Sequence, residues 1–280
     1  MPRLIGTVAM GLRAPIVKKG DNLVDIVGDI VEEVARNEVK LRDKDVVAVT
    51  ESLLARSQGN YATIEQIAKD FANKFDGDEV AILFPILSRN RFSIMLKAFA
   101  LSGKKLHICL SYPSDEVGNF VMDEMDLFNS DVNAYTDVLS LEEFRKVAGD
   151  YKHLFTDMAY PEFYKELAPN SEIHFLNNPV DALRFTDNVL VASIHTRNLV
   201  KRQLVEAGAK KVLKLDEILT ESVDGSGFNP DYGLLGSNLS TGNKVKLFPR
   251  DAQDFVDKLQ KRLINETGKH IEVMVYLRSP

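Results

Sequence analysis

Apolar positions along this chain follow two periods in turn, and the switching between them predicts alternating strands and helices. Residues 4–9 form a short apolar run, read as a first strand. Leu23, Ile26, Val27, Ile30, Val31 and Val34 then recur at spacings of three and four, the mark of one helical face, with Asp21 or Asn22 placed to cap it. A β-branched run, Val46, Val47, Ala48 and Val49, stops at Thr50 and predicts a buried strand. A polar set follows at once: Thr50, Glu51, Ser52, Arg56, Ser57 and Gln58. A strand that delivers hydroxyls, a carboxylate and a guanidinium from its carboxyl end is how open α/β sheets build ligand crevices.

Thr63 and Gln66 make a capping-box pattern for a helix that buries Ile64, Ile67, Ala68, Phe71 and Phe75. Strands are expected at residues 79–84 and 105–110, with a helix at 90–101 between them. Residues 111–169 are less regular. Ser140 and Glu143 form a second capping box, and Pro161 suits the first turn of another helix. Alternation resumes with strands at 172–176, 189–195 and 212–215 and a helix at 197–207. A long loop rich in Gly, Ser, Asn and Asp spans 222–243. A helix over 251–267, ended by Gly268, leads to a last strand at 271–276. The class is α/β: a mixed or mostly parallel sheet with flanking helices, in one domain covering 1–280, with 111–169 as an insertion. The final apolar strand stops four residues before the end. A terminal strand and a chain that normally continues are both compatible with that.

Charge and cysteine content narrow the partners. A net charge of −6 argues against a nucleic-acid or membrane-surface partner, while leaving room for a local basic pocket. The longest apolar run, 80–87, is too short to span a bilayer and contains Pro85. The single cysteine, Cys109, lies in an apolar run and reads as a small buried hydrophobe, which fits a reducing cytoplasm.

Standard nucleotide motifs are missing: no Gly-x-Gly-x-x-Gly follows a strand, and GSNLSTGNK at 236–244 has the wrong spacing for a P-loop. The five histidines show no metal-ligand spacing. The loop Asp224-Gly225-Ser226-Gly227 could cradle phosphate on its amides or be a plain surface loop. His195-Thr196-Arg197, at a strand end, suits an anion, with Thr196 as a plain N-cap the competing account.

Two segments in order carry a resemblance. GLRAPIVKKGDNL at 11–23 precedes the first helix, and DKDVVAVTESLLARSQG follows at 43–59. Together they resemble the N-terminal half of the coenzyme F420-0:L-glutamate ligase (gamma-glutamyl ligase) family, where the second segment reads DGDVLVVTQKIVSKAEG. Residues 1–60 match closely and the remainder loosely. FPILSRNRF at 84–92 and TESVDGSG at 220–227 resemble a longer bacterial branch of that family.

The resemblance implies a gamma-glutamyl-ligase-like fold, a homodimer, and an enzyme that uses GTP with Mg²⁺ or Mn²⁺ to join L-glutamate to a carboxylate acceptor. It places Arg13, Ala14, Pro15 and Ile16 in a nucleotide-contacting loop. Glu51 and Arg56 stand where further nucleotide contacts are made, Arg56 in place of the usual lysine. Asp115 corresponds to a metal aspartate and Asn119 to its nucleotide-binding neighbour. Each has a plainer reading: ion pairing for Arg56, a helix start for Glu51, turn chemistry for Asp115 and Asn119. In the family a late strand is followed by an Asp-Thr or Gly-Asp-Gly metal ligand, whereas here Leu277-Arg278-Ser279-Pro280 follows. The expectation is therefore either a ligase, or a non-catalytic nucleotide- or metabolite-binding module of the same descent.

Overall fold

A computed structural model describes Leu4 and residues 6–276. In chain order its elements are α1 (Leu23–Asn37), β1 (Val46–Thr50), α2 (Glu51–Gln58), β2 (Tyr61–Thr63), α3 (Ile64–Lys74), β3 (Glu79–Leu83), α4 (Phe92–Ala100), β4 (Lys105–Leu110), α5 (Glu124–Phe128), β5 (Leu139–Ser140), α6 (Leu141–Ala148), α7 (Tyr160–Leu167), β6 (Ser171–Phe175), β7 (Asn188–Val191), α8 (Arg197–Glu206), β8 (Lys211–Lys214), β9 (Asn238–Leu239), β10 (Lys244–Lys246), α9 (Ala252–Thr267) and β11 (Glu272–Tyr276). The mixed α/β class expected from the alternation is what the chain adopts. Contacts divide it into two compact units, residues 6–60 with 249–276, and Tyr61–Phe248.

In the first unit, β1 pairs in parallel with β11, from the far end of the sequence. Leu23, Val27 and Val31 of α1 pack with Phe255, Leu259 and Leu263 of α9 and with Val49 and Val273 of the strands. Asn22 caps α1 by accepting from the N–H groups of Val24 and Asp25. Gly28 is needed here: a Cβ would lie 2.5 Å from the Arg262 guanidinium. That guanidinium is pinned by Asp29 at 2.5 Å and Glu266 at 2.6 Å. These carboxylates hold it charged, its pKa raised above the usual arginine range.

The second unit is built on a six-stranded sheet of order β5-β6-β4-β3-β7-β8. All neighbours are parallel except β5 on β6. Residues 80–83 of β3 are fully buried, as a central parallel strand covered on both faces requires. From β3 the chain moves outward through β4 and β6, then returns to the other side of β3 for β7 and β8. The connections after β3 and β7 therefore leave in opposite directions, the topological switch where such sheets form crevices. A separate three-stranded antiparallel sheet, β2-β10-β9, completes the unit.

Both predicted capping boxes form, Thr63 with Gln66 and Ser140 with Glu143. Four expectations change. Of the strand expected at 4–9, Ile5 lies outside the described residues. Residues 6–9 have no regular structure and are exposed, and no backbone hydrogen bond pairs them with another described residue. Second, the polar stretch after Thr50 is itself the helix α2, with Thr50 accepting from Leu53 N–H at 3.3 Å. Third, the strand expected at 189–195 ends at Val191, because 194–196 turn their amides to a side chain described below. Fourth, the loop at 222–243 contributes a short strand, β9. The segment 277–280, to which the metal-ligand comparison referred, lies outside the described residues.

Phe144 and Phe175 stack in the core of the second unit with centroids 3.6 Å apart, both fully buried. Phe144→Ala should cost about 3–5 kcal/mol in denaturant unfolding. A loss below about 1 kcal/mol would show that α6 is not part of the cooperative core.

Candidate functional site

At the switch point of the second unit, the loops after β3, β4 and β7 come together at the carboxyl edge of the sheet. Two adjacent carboxylates hold them. Asp115 is buried, and both its oxygens are committed. Oδ1 accepts from the N–H groups of Val117 and Asn119, at 3.0 and 2.9 Å. Oδ2 accepts from Leu87 N–H at 2.8 Å and from Asn119 Nδ2 at 2.7 Å. Leu87 belongs to the loop after β3, so Asp115 ties that loop to its own.

Glu116 does the same toward β7. Its carboxylate accepts from Ile194 N–H, from His195 N–H at 3.1 Å, from Thr196 N–H at 3.2 Å and from the Thr196 hydroxyl at 3.1 Å. These amides precede α8, where helix geometry favours negative charge. The seat for an anion expected around His195, Thr196 and Arg197 is thus filled by the chain's own carboxylate. Thr196 occupies the cap position of α8 without a side-chain cap bond; its hydroxyl donates to Glu116 instead. Arg197 turns back to Asp216 at 2.9 Å. The loop after β3 opens on Phe84 at φ +53°, a left-handed conformation rare for an aromatic residue, and carries the exposed Arg89.

In the first unit, Arg13, Ala14, Pro15 and Ile16 lie in an irregular, exposed segment that is anchored by the buried Val17. Glu51 is the half-buried first residue of α2, and Arg56 stands exposed in its last turn. This unit also has an open cleft of about 550 Å³, lined in part by Asp21, Asn22, Gln58, Asp251, Asp254 and Lys258. Three carboxylates against one lysine make that cleft a poor seat for phosphates. Neither Arg13 nor Arg56 lines it.

Residues 11–277 match the family model described as F420-0:Gamma-glutamyl ligase. The chain belongs to the F420-0:gamma-glutamyl ligase family. No curated protein matches it. Of the residues singled out from the family pattern, Arg13, Ala14, Pro15, Ile16, Glu51 and Arg56 fall in the first unit, and Asp115 and Asn119 in the second. The structure joins Asp115 directly to Asn119. Four donors already satisfy the Asp115 carboxylate, so as folded it fits the role of loop staple and not that of a metal ligand. Cys109 is fully buried and burial pushes its thiol well above the usual range, which leaves it no part in nucleophilic chemistry.

Sequence reasoning missed Glu116. A carboxylate in a turn-rich stretch carries no signal until the fold brings the 194–196 amides to it. Glu116→Ala should destabilise the protein by about 1–2 kcal/mol, the scale of a lost helix cap. Sulfate should restore part of that loss in the variant and have less effect on the parent, as measured by thermal melts. Equal sulfate responses would mean that the amides do not form an anion seat.

Proposed function

We propose that this protein is a ligase that forms an amide bond between L-glutamate and a carboxylate acceptor at the expense of GTP. The observation that carries this reading is the family match across 11–277. The chemistry has two steps. An acceptor carboxylate oxygen attacks the γ-phosphorus, the bond to the β-phosphate oxygen breaks, and GDP leaves. The glutamate amine then attacks the acyl carbon of the acyl phosphate. Phosphate departs with the electron pair of the C–O bond, and the amine proton goes to solvent or phosphate.

Such a reaction needs fixed positive charge at the phosphates. Arg13 and Arg56 supply it, Arg56 presenting a planar fork where a lysine would present a point charge. The loop 13–16 contributes backbone amides, though none from Pro15, and Glu51 accepts from hydroxyl or N–H groups of the nucleotide. Mg²⁺ or Mn²⁺ would neutralise phosphate charge when bound; because Asp115 is engaged by its loop, the cation would arrive on the triphosphate.

The reading extends to a homodimer, supported by the exposed apolar side chains Val8, Met10, Leu12 and Ile16, which a second copy could cover. A cytoplasmic setting is supported by the single free thiol. Among the described residues no helix is long and apolar enough to cross a membrane.

The test is purified protein with GTP, Mn²⁺, glutamate and a panel of carboxylates. GTP should raise the melting temperature, and phosphate release should depend on both glutamate and a carboxylate. Arg56→Ala should weaken GTP binding about tenfold or more, the scale of one charge-assisted contact. Absence of both GTP protection and phosphate release would refute the proposal.

A further inference from the structure

A second cluster of chemically capable side chains lies on one face of the six-stranded sheet, in the second unit. His107 of β4 and Glu172 and His174 of β6 project from the same face, because β4 and β6 pair in parallel with His107 beside Glu172 and Cys109 beside His174. His107 Nδ1 and His174 Nε2 are 3.2 Å apart. Glu172 Oε2 stands 3.4 Å from the first and 3.6 Å from the second. The fold has thus brought together three ligand atoms from residues that show no metal spacing in the sequence.

These separations are close to the edge of a tetrahedral zinc site, about 3.3 Å for ligands at usual bond lengths. A metal about 0.7 Å above the plane of the three atoms, as tetrahedral geometry requires, lies about 2.1 Å from each, within the bond lengths that zinc makes to imidazole nitrogen and carboxylate oxygen. The surroundings are those of an oriented site. Glu79 Oε2 is 3.4 Å from His107 Nε2, placed to accept a proton from that nitrogen when Nδ1 binds an ion. Lys105 takes the other Glu172 oxygen at 2.9 Å, leaving Oε2 to face the rings. Phe185 stacks on both imidazoles, with centroids 3.8 Å from His174 and 5.3 Å from His107, and fixes their planes.

Both histidines are buried while Glu172 is half-exposed, which gives an ion a route from solvent. Glu79 and Lys105 are the first residues of β3 and β4. This supporting pair therefore sits at the amino-terminal edge of the sheet, opposite the loops that Asp115 and Glu116 stitch together.

We propose that His107, Glu172 and His174 form a zinc-binding site that leaves the remaining tetrahedral position to water. The site is independent of any nucleotide-borne Mg²⁺ or Mn²⁺, because its nitrogen ligands select zinc-type ions over hard cations.

The test uses the full chain without nucleotide and in excess Mg²⁺. After incubation with zinc and desalting, the parent protein should retain one equivalent by elemental analysis, and zinc should raise its melting temperature. His107→Ala with His174→Ala should retain none and show no shift. Should the double variant fold poorly, Glu172→Gln serves instead: the side chain is half-exposed, and the change should weaken zinc binding about tenfold or more. Cobalt bound to the parent should give the intense visible absorption of four-coordinate geometry. Retention of no zinc by the parent, undiminished binding in Glu172→Gln, or a pale six-coordinate cobalt spectrum would overturn the proposal.

Discussion

The carboxyl edge of the second unit's sheet depends on two neighbouring carboxylates. Parallel strands bring the connections after β3, β4 and β7 close together, but strand pairing ends where those loops begin, and their amides need other partners. Asp115 satisfies amides of the β3 and β4 loops, and Glu116 those of the β7 loop. Each bond from an amide to an ionised carboxylate is stronger than a neutral one. Leaving the buried ones unmade would cost more than the bonds themselves contribute. The loops at the switch point are therefore held in place because consecutive residues of one turn reach in two directions.

The first unit is assembled differently. Its two strands come from opposite ends of the sequence, and the helices packed on them, α1 and α9, are likewise distant in the chain. The long connection between them contains the whole second unit. Closing so long a loop costs entropy that rises only slowly with length, and the paired apolar faces of α1 and α9 offset it.

Much of the architecture was legible in the residues. Regular apolar spacing located α1, α3 and α9, and capping boxes located the starts of α3 and α6, because these signals are local. The short strands β2, β9 and β10 escaped notice, since two or three residues carry no readable period and take their conformation from distant partners. The helix α2 shows in the sequence only through the plainer reading of Glu51 as a helix start, because its weak amphipathicity hides behind the residues that suggest chemistry. Among site residues, the family pattern drew attention to Asp115 and Asn119, and turn chemistry explained their geometry as found. Glu116 and the His107–Glu172–His174 cluster were invisible for one reason: each depends on strands adjacent in space and distant in sequence.

Membership of the gamma-glutamyl ligase family and the exposed arginines of the first unit make GTP-driven amide formation the account to test. The most direct measurement is a crystal structure of the protein with GTP and Mn²⁺. The account requires phosphoryl oxygens within hydrogen-bonding reach of Arg13 or Arg56. A triphosphate seated elsewhere, with both guanidinium groups left in solvent, would contradict it.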